Sequence, residues 1–117
     1  MKKQNELALI IAFYMSKYNQ SAWGSLGYKT FTEACRNIDN RLDVKPNTLK
    51  NMRDEFDSVN ETDRAGWYQR PLRPSRLAVA QAFDAMAETT LGELVKEIIS
   101  EPDSVLSKSV YQGSGFY

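Results

Sequence analysis

No stretch of this chain alternates apolar and polar residues with the period of two that a half-buried strand needs. Apolar residues recur instead at three- and four-residue steps as far as Ile99. That pattern confines the chain to an all-α fold, and the 117 residues suffice for one domain with a core of its own. We expect a compact bundle of about five helices over residues 1–101 and a linker-like tail, rich in serine and glycine, over 102–117.

The first helix is predicted from Asn5 to Tyr18. Leu7, Ile10, Ile11, Tyr14 and Tyr18 form its apolar face, and Ala8, Ala12 and Met15 widen it. Asn19-Gln20-Ser21 reads as a stop. Gly24 and Gly27 then bracket a short turn, or a single helical turn, holding Trp23 and Leu26. Thr30 and Glu33 form a capping box, each side chain reaching the other's amide, and open a second helix with Phe31, Ala34, Ile38 and Leu42 on one face. Asp43-Val44-Lys45 makes a tight connection. Pro46 opens a third helix running to about Asp57, with Leu49, Met52, Arg53 and Phe56 inward. Residues 58–74 form a long loop, pinned by Trp67 and Tyr68 against the core. Ser75 caps a fourth helix, Arg76 to about Glu88, with Leu77, Ala80, Phe83 and Met86 inward. A second capping box, Thr90 with Glu93, opens the fifth helix, whose face is Leu91, Leu94, Val95, Ile98 and Ile99. Pro102 stops it.

The chain has no histidine, which removes Ser-His-Asp and Cys-His nucleophiles and the usual zinc sets. The acids lie scattered on helix faces. We therefore expect no catalytic residue, no metal and no cofactor. Cys35, the single cysteine, reads as a small buried side chain in a reducing cytosol, so a cytoplasmic location is expected. No apolar run approaches the roughly 20 residues that span a bilayer, so no membrane is expected as a partner. Two lysines precede the run Leu7–Met15, but no small-residue cleavage site follows, so it reads as a helix of the fold. The net charge is zero, yet residues 1–35, 36–76 and 77–117 carry +2, +2 and −4. Such a balance disfavours strong sequence-blind binding to nucleic acid.

One spacing points to a function. Ile38, Leu42, Val44, Leu49 and Met52 stand at the steps a DNA-binding helix-turn-helix uses to pack two short helices, placing that unit at residues 31–57. Two positions depart from it. Asp39 stands where a small residue is usual, which would open the pair slightly. Asp43 stands where glycine is usual, and aspartate tolerates the left-handed conformation better than most residues. With the second helix of this unit in the major groove, Asn47, Thr48, Lys50, Asn51 and Arg53 would face bases. Lys45 would meet a phosphate at the helix start. Arg36 and Arg41 would grip the backbone alongside. Arg64, Arg70, Arg73 and Arg76 are either a continuation of the phosphate track or members of a salt-bridged loop held by Asp54, Glu55 and Asp57.

The stretches Asn5–Tyr14, Val44–Asp57 and Arg64–Leu72 resemble the N-terminal helical domain of bacterial restriction-endonuclease-like and related defence proteins, over about residues 5–100. The resemblance implies a non-catalytic module that recognises or positions double-stranded DNA, followed by a C-terminal nuclease or other effector domain. The alternative is a protein-interaction or dimerisation module, including a homodimer, that positions such an effector.

Overall fold

Ten consecutive residues, Leu7 to Ser16, are buried, so the first helix has no solvent face along its middle. A helix that is apolar all round can satisfy itself only by being surrounded. This helix, α1 (Lys3–Tyr18), is accordingly the axis of the molecule. The structure, a computed structural model, describes residues 3–56 and 73–102. Around α1 lie α2 (Gln20–Ser25), α3 (Phe31–Leu42), α4 (Thr48–Phe56), α5 (Pro74–Phe83) and α6 (Glu88–Ser100). The described residues hold no strand. They form six helices where about five were predicted, because the turn after Tyr18 winds into α2. Asn19 separates it from α1 by adopting a positive φ of 52°.

Every other helix contributes fully buried apolar side chains to the sheath. α2 supplies Ala22, α3 supplies Ala34 and Ile38, α4 supplies Leu49 and Phe56, α5 supplies Val79, and α6 supplies Leu91, Val95 and Ile98. α4 packs most extensively against α1, where Phe13 meets Phe56 edge to face at 5.4 Å between centroids. α6 approaches α1 closely because Gly92 lacks a side chain. An added Cβ there would sit 2.8 Å from the Tyr14 hydroxyl. The Ser25 hydroxyl donates to the Ala22 carbonyl at 2.8 Å, which leaves Tyr14 to donate to Ser25 Oγ at 2.9 Å. At its C-terminal end α1 holds the α5–α6 turn. Lys17 bonds the carbonyl and the carboxylate of Asp84, the latter at 3.1 Å.

Several expected boundaries move. Pro46 and Asn47 belong to the connection, and α4 starts at Thr48. α5 starts at Pro74 with Arg73 as its N-cap, so Ser75 lies inside the helix. The inner face of α5 is Arg76, Val79, Ala80 and Phe83, whereas Leu77 stays 44% exposed. α6 starts at Glu88, so Thr90 does not cap it. The Trp67-Tyr68 pair, Asp57, Arg64, Arg70, the loop over 58–72 and the tail beyond Pro102 lie outside the described residues. No described helix is long and apolar enough to cross a membrane.

Candidate functional site

The α3–α4 pair is built by caps. The Thr30 hydroxyl accepts from the Glu33 amide at 3.1 Å, and the Glu33 carboxylate reaches back to the amide of Lys29, also at 3.1 Å. The reciprocal bond was expected at Thr30 and falls one residue earlier. α3 ends on Asp43 in the left-handed region, φ 57° and ψ 47°. The Val44 amide bonds the Asp39 carbonyl at 3.0 Å and the Asp43 amide bonds the Asn40 carbonyl at 3.2 Å. These two bonds make a Schellman end with aspartate in the place of glycine. The chain then turns over Lys45–Thr48, closed by the Thr48 amide on the Lys45 carbonyl at 3.2 Å. Pro46 at the second position and Asn47 at φ 69° in the third are what a type II turn requires. The connection therefore spans residues 43–47, longer than the three residues expected.

Asp39 holds the two helices together. Its side chain is buried, and Oδ1 accepts from the Leu49 amide at 3.0 Å in the first turn of α4. The Asn47 amide also bonds the carboxylate. α4 has orphan amides at its start, like any helix, and here α3 supplies the acceptor. At the position where a small residue was expected, Asp39 caps one helix from the other. It also fills the place where a phosphate at Lys45 would have met free amides.

The sequence-predicted residues divide into two groups. Arg36, Lys45, Asn47, Lys50 and Asn51 are exposed and Thr48 is half-buried, all on the outer side of the pair. Among the described residues, Arg41, Arg53, Arg73 and Arg76 make contacts within the fold. Arg53, expected on the inner side of its helix and also as a base contact, is buried: it lies 3.8 Å over the Phe31 ring and pairs with Asp54 at 3.1 Å. Arg41 donates through Nε to the Ile99 carbonyl at 2.7 Å and also to the Ser100 carbonyl, closing the C-terminus of α6. Arg73 and Arg76 both grip Glu55, at 2.7 and 3.2 Å, so the salt-bridged alternative holds for these two.

Burial opposes the charge on Glu55, but the two guanidiniums outweigh it and hold the carboxyl below its ordinary value of 4.5. A depressed folded pKa adds stability that is present above the unfolded value and lost as pH falls through the folded one. Glu55→Gln is therefore expected to cost about 1 kcal/mol near neutral pH, a modest figure because water reaches the pair. The deficit relative to wild type should vanish in acid. Urea titrations at about pH 7 and about pH 3 compare the two proteins directly.

Between α3 and α4 opens a cleft of about 670 Å³. Phe31, Cys35 and Val44 supply its apolar wall, and Asn37, Asn40 and Asn47 supply amides. Arg36 and Lys50 also line it. Burial, with Asp39 nearby, pushes the Cys35 thiol up to about 12, so it is a neutral surface. Comparison with protein-family models, with curated proteins and with solved structures gives no match. What the cleft and its surroundings can bind follows from their own chemistry. Among the described residues no three carboxylates or thiols gather to hold a metal ion.

The sequence reading missed the cap from Asp39 and the support of Phe31 by Arg53. The first had a signal: a carboxylate ten residues before the amide it bonds, across a turn ending in Pro-Asn. The second had none, since Phe31 and Arg53 stand at unrelated positions of two helices.

Proposed function

We propose that this chain is a non-catalytic DNA-binding domain that meets double-stranded DNA with the outer face of the α3–α4 pair, used in the manner of a helix-turn-helix. One observation carries the reading. The carboxylates Asp39, Asp54 and Glu55 of this unit are taken up internally: Asp39 by the amides that start α4, Glu55 by Arg73 and Arg76, Asp54 by Arg53 and Lys50. Arg36, Lys45, Asn47 and Asn51 are left outward as phosphate-binding cations and base-reading amides, with Asp43 the exposed acid beside them at the turn. The Lys50–Asp54 contact, at 3.8 Å on the surface, is weak enough for a phosphate to displace.

The resemblance to the N-terminal domain of restriction and defence proteins fits a recognition or positioning role ahead of a C-terminal nuclease or effector, in the cytoplasm where a buried thiol stays reduced. Duplex affinity is expected to fall steeply with salt. Lys50→Ala and Asn51→Ala should each weaken binding to a preferred site by roughly 1–3 kcal/mol while leaving the helix content intact. Polarisation titrations on labelled duplexes, with selection from a random library to find the preferred site, make the measurement. A chain that binds no duplex at low salt is not a DNA-binding domain. A protein that sediments as a dimer through this same face would favour the interaction-module alternative.

A further inference from the structure

The α3–α4 cleft is open to solvent, yet its apolar wall is held rigid from behind. Phe31 is half-buried, braced by Trp23 at 5.3 Å between ring centroids and by the guanidinium of Arg53 at 3.8 Å. Burying an arginine is costly, and the Arg53 Nε has no hydrogen-bond partner among the described residues. The attraction between the stacked cation and the Phe31 ring offsets part of that cost, and the contact fixes the ring that walls the cleft. The volume lies within the range of about 300–1,000 Å³ typical of sites for small ligands.

The polar groups narrow the occupant. Amides on the wall offer a donor and an acceptor side by side, which matches the edge of a nucleobase. Arg36 and Lys50 carry charge complementary to flanking phosphates. The one carboxylate in the lining, Asp39, accepts from the Leu49 and Asn47 amides, whose dipoles offset part of its charge. An apolar peptide side chain would use the wall and waste the amides.

We propose that the cleft receives a single unstacked nucleobase from the DNA bound on this face, so that the domain prefers a duplex with one extrahelical nucleotide over a fully paired one. This rests on the DNA-binding reading above. Base insertion of this kind is favoured when the base is already unpaired, because the cost of unstacking has been met beforehand.

The test is a pair of labelled duplexes, identical except for a single-nucleotide bulge, titrated with the full chain at one salt concentration. The bulged duplex is expected to bind about ten-fold tighter, the worth of one well-held base. Asn40→Trp, a change at an exposed rim position, fills the cleft and should bring the two affinities together without altering that for the paired duplex. Circular dichroism confirms that the variant folds. With 2-aminopurine at the bulge, emission should change on binding to wild type and stay constant with Asn40→Trp. Equal affinity of wild type for both duplexes would overturn the base-binding proposal and leave DNA binding intact. Binding to neither would overturn both. A bulge preference that survives Asn40→Trp would place the base elsewhere and also sink the proposal.

Discussion

Phe56→Ala is expected to destabilise the domain by about 3–5 kcal/mol, against a total of roughly 5–15 kcal/mol for a domain of this kind. Phe56 is fully buried, and its ring meets Phe13 of α1 at 5.4 Å with planes 78° apart. The loss therefore combines apolar transfer, a cavity and an edge-to-face pair. The site has little freedom to collapse, because Phe13, Leu9 and Leu49 are themselves fully buried. Thermal unfolding followed by far-ultraviolet circular dichroism should show Tm lower by at least about 10 °C. A loss below about 1 kcal/mol would mean that α4 is not anchored on α1 as described.

Asp39→Ala removes the carboxylate that joins α3 to the start of α4, and it is expected to destabilise by about 2 kcal/mol. The Leu49 amide, bonded at 3.0 Å, would lose its acceptor at the start of α4, and the connection would lose its tie to the Asn47 amide. Asp39→Asn keeps an acceptor oxygen and should cost less than about 1 kcal/mol. An alanine variant as stable as wild type would show that the cap contributes nothing. Burial raises the Asp39 carboxyl above its ordinary 3.8, against the pull of the two amides. Between the unfolded and the folded value the folded state thus holds the extra proton. This group's contribution to stability falls as pH rises through that window and is constant above it. Glu55 works in the opposite sense, and comparing Asp39→Asn with Glu55→Gln across acid pH separates the two.

The all-α class is legible because helical periodicity is written at Leu7, Ile10, Ile11 and Tyr14 and again at Leu91, Val95 and Ile98. The same periodicity understates α1. It marks one face of a helix that is buried all round, since Leu9 and Phe13 complete the circle. Start signals are less dependable. Thr30 caps its helix as its sequence suggests, but Ser75 and Thr90 lie within helices that begin earlier, at Pro74 and Glu88. Local capping chemistry marks where a helix can begin, and tertiary packing decides among the options. The candidate site is half legible. Exposed Arg36, Lys45, Lys50 and Asn51 follow from their place opposite Ile38, Leu49 and Met52. The pairing of Arg73 and Arg76 with Glu55 is one of the two readings the sequence leaves open, whereas the contacts of Arg41 and Arg53 are not legible, because their partners at Ile99 and Phe31 are brought near only by the fold.

Salt-dependent duplex binding by charge variants tests the proposed DNA-binding role most directly. Arg36→Ala, Lys45→Ala and Lys50→Ala together remove three outward cations from the α3–α4 face, whereas Arg73→Ala removes an arginine engaged with Glu55. The wild-type chain should bind duplex DNA with log K falling linearly in log salt. The triple variant should lower that slope by roughly one for each phosphate left without its cation, and Arg73→Ala should leave it unchanged. A triple variant with the slope and affinity of wild type would contradict the assignment of this face to DNA.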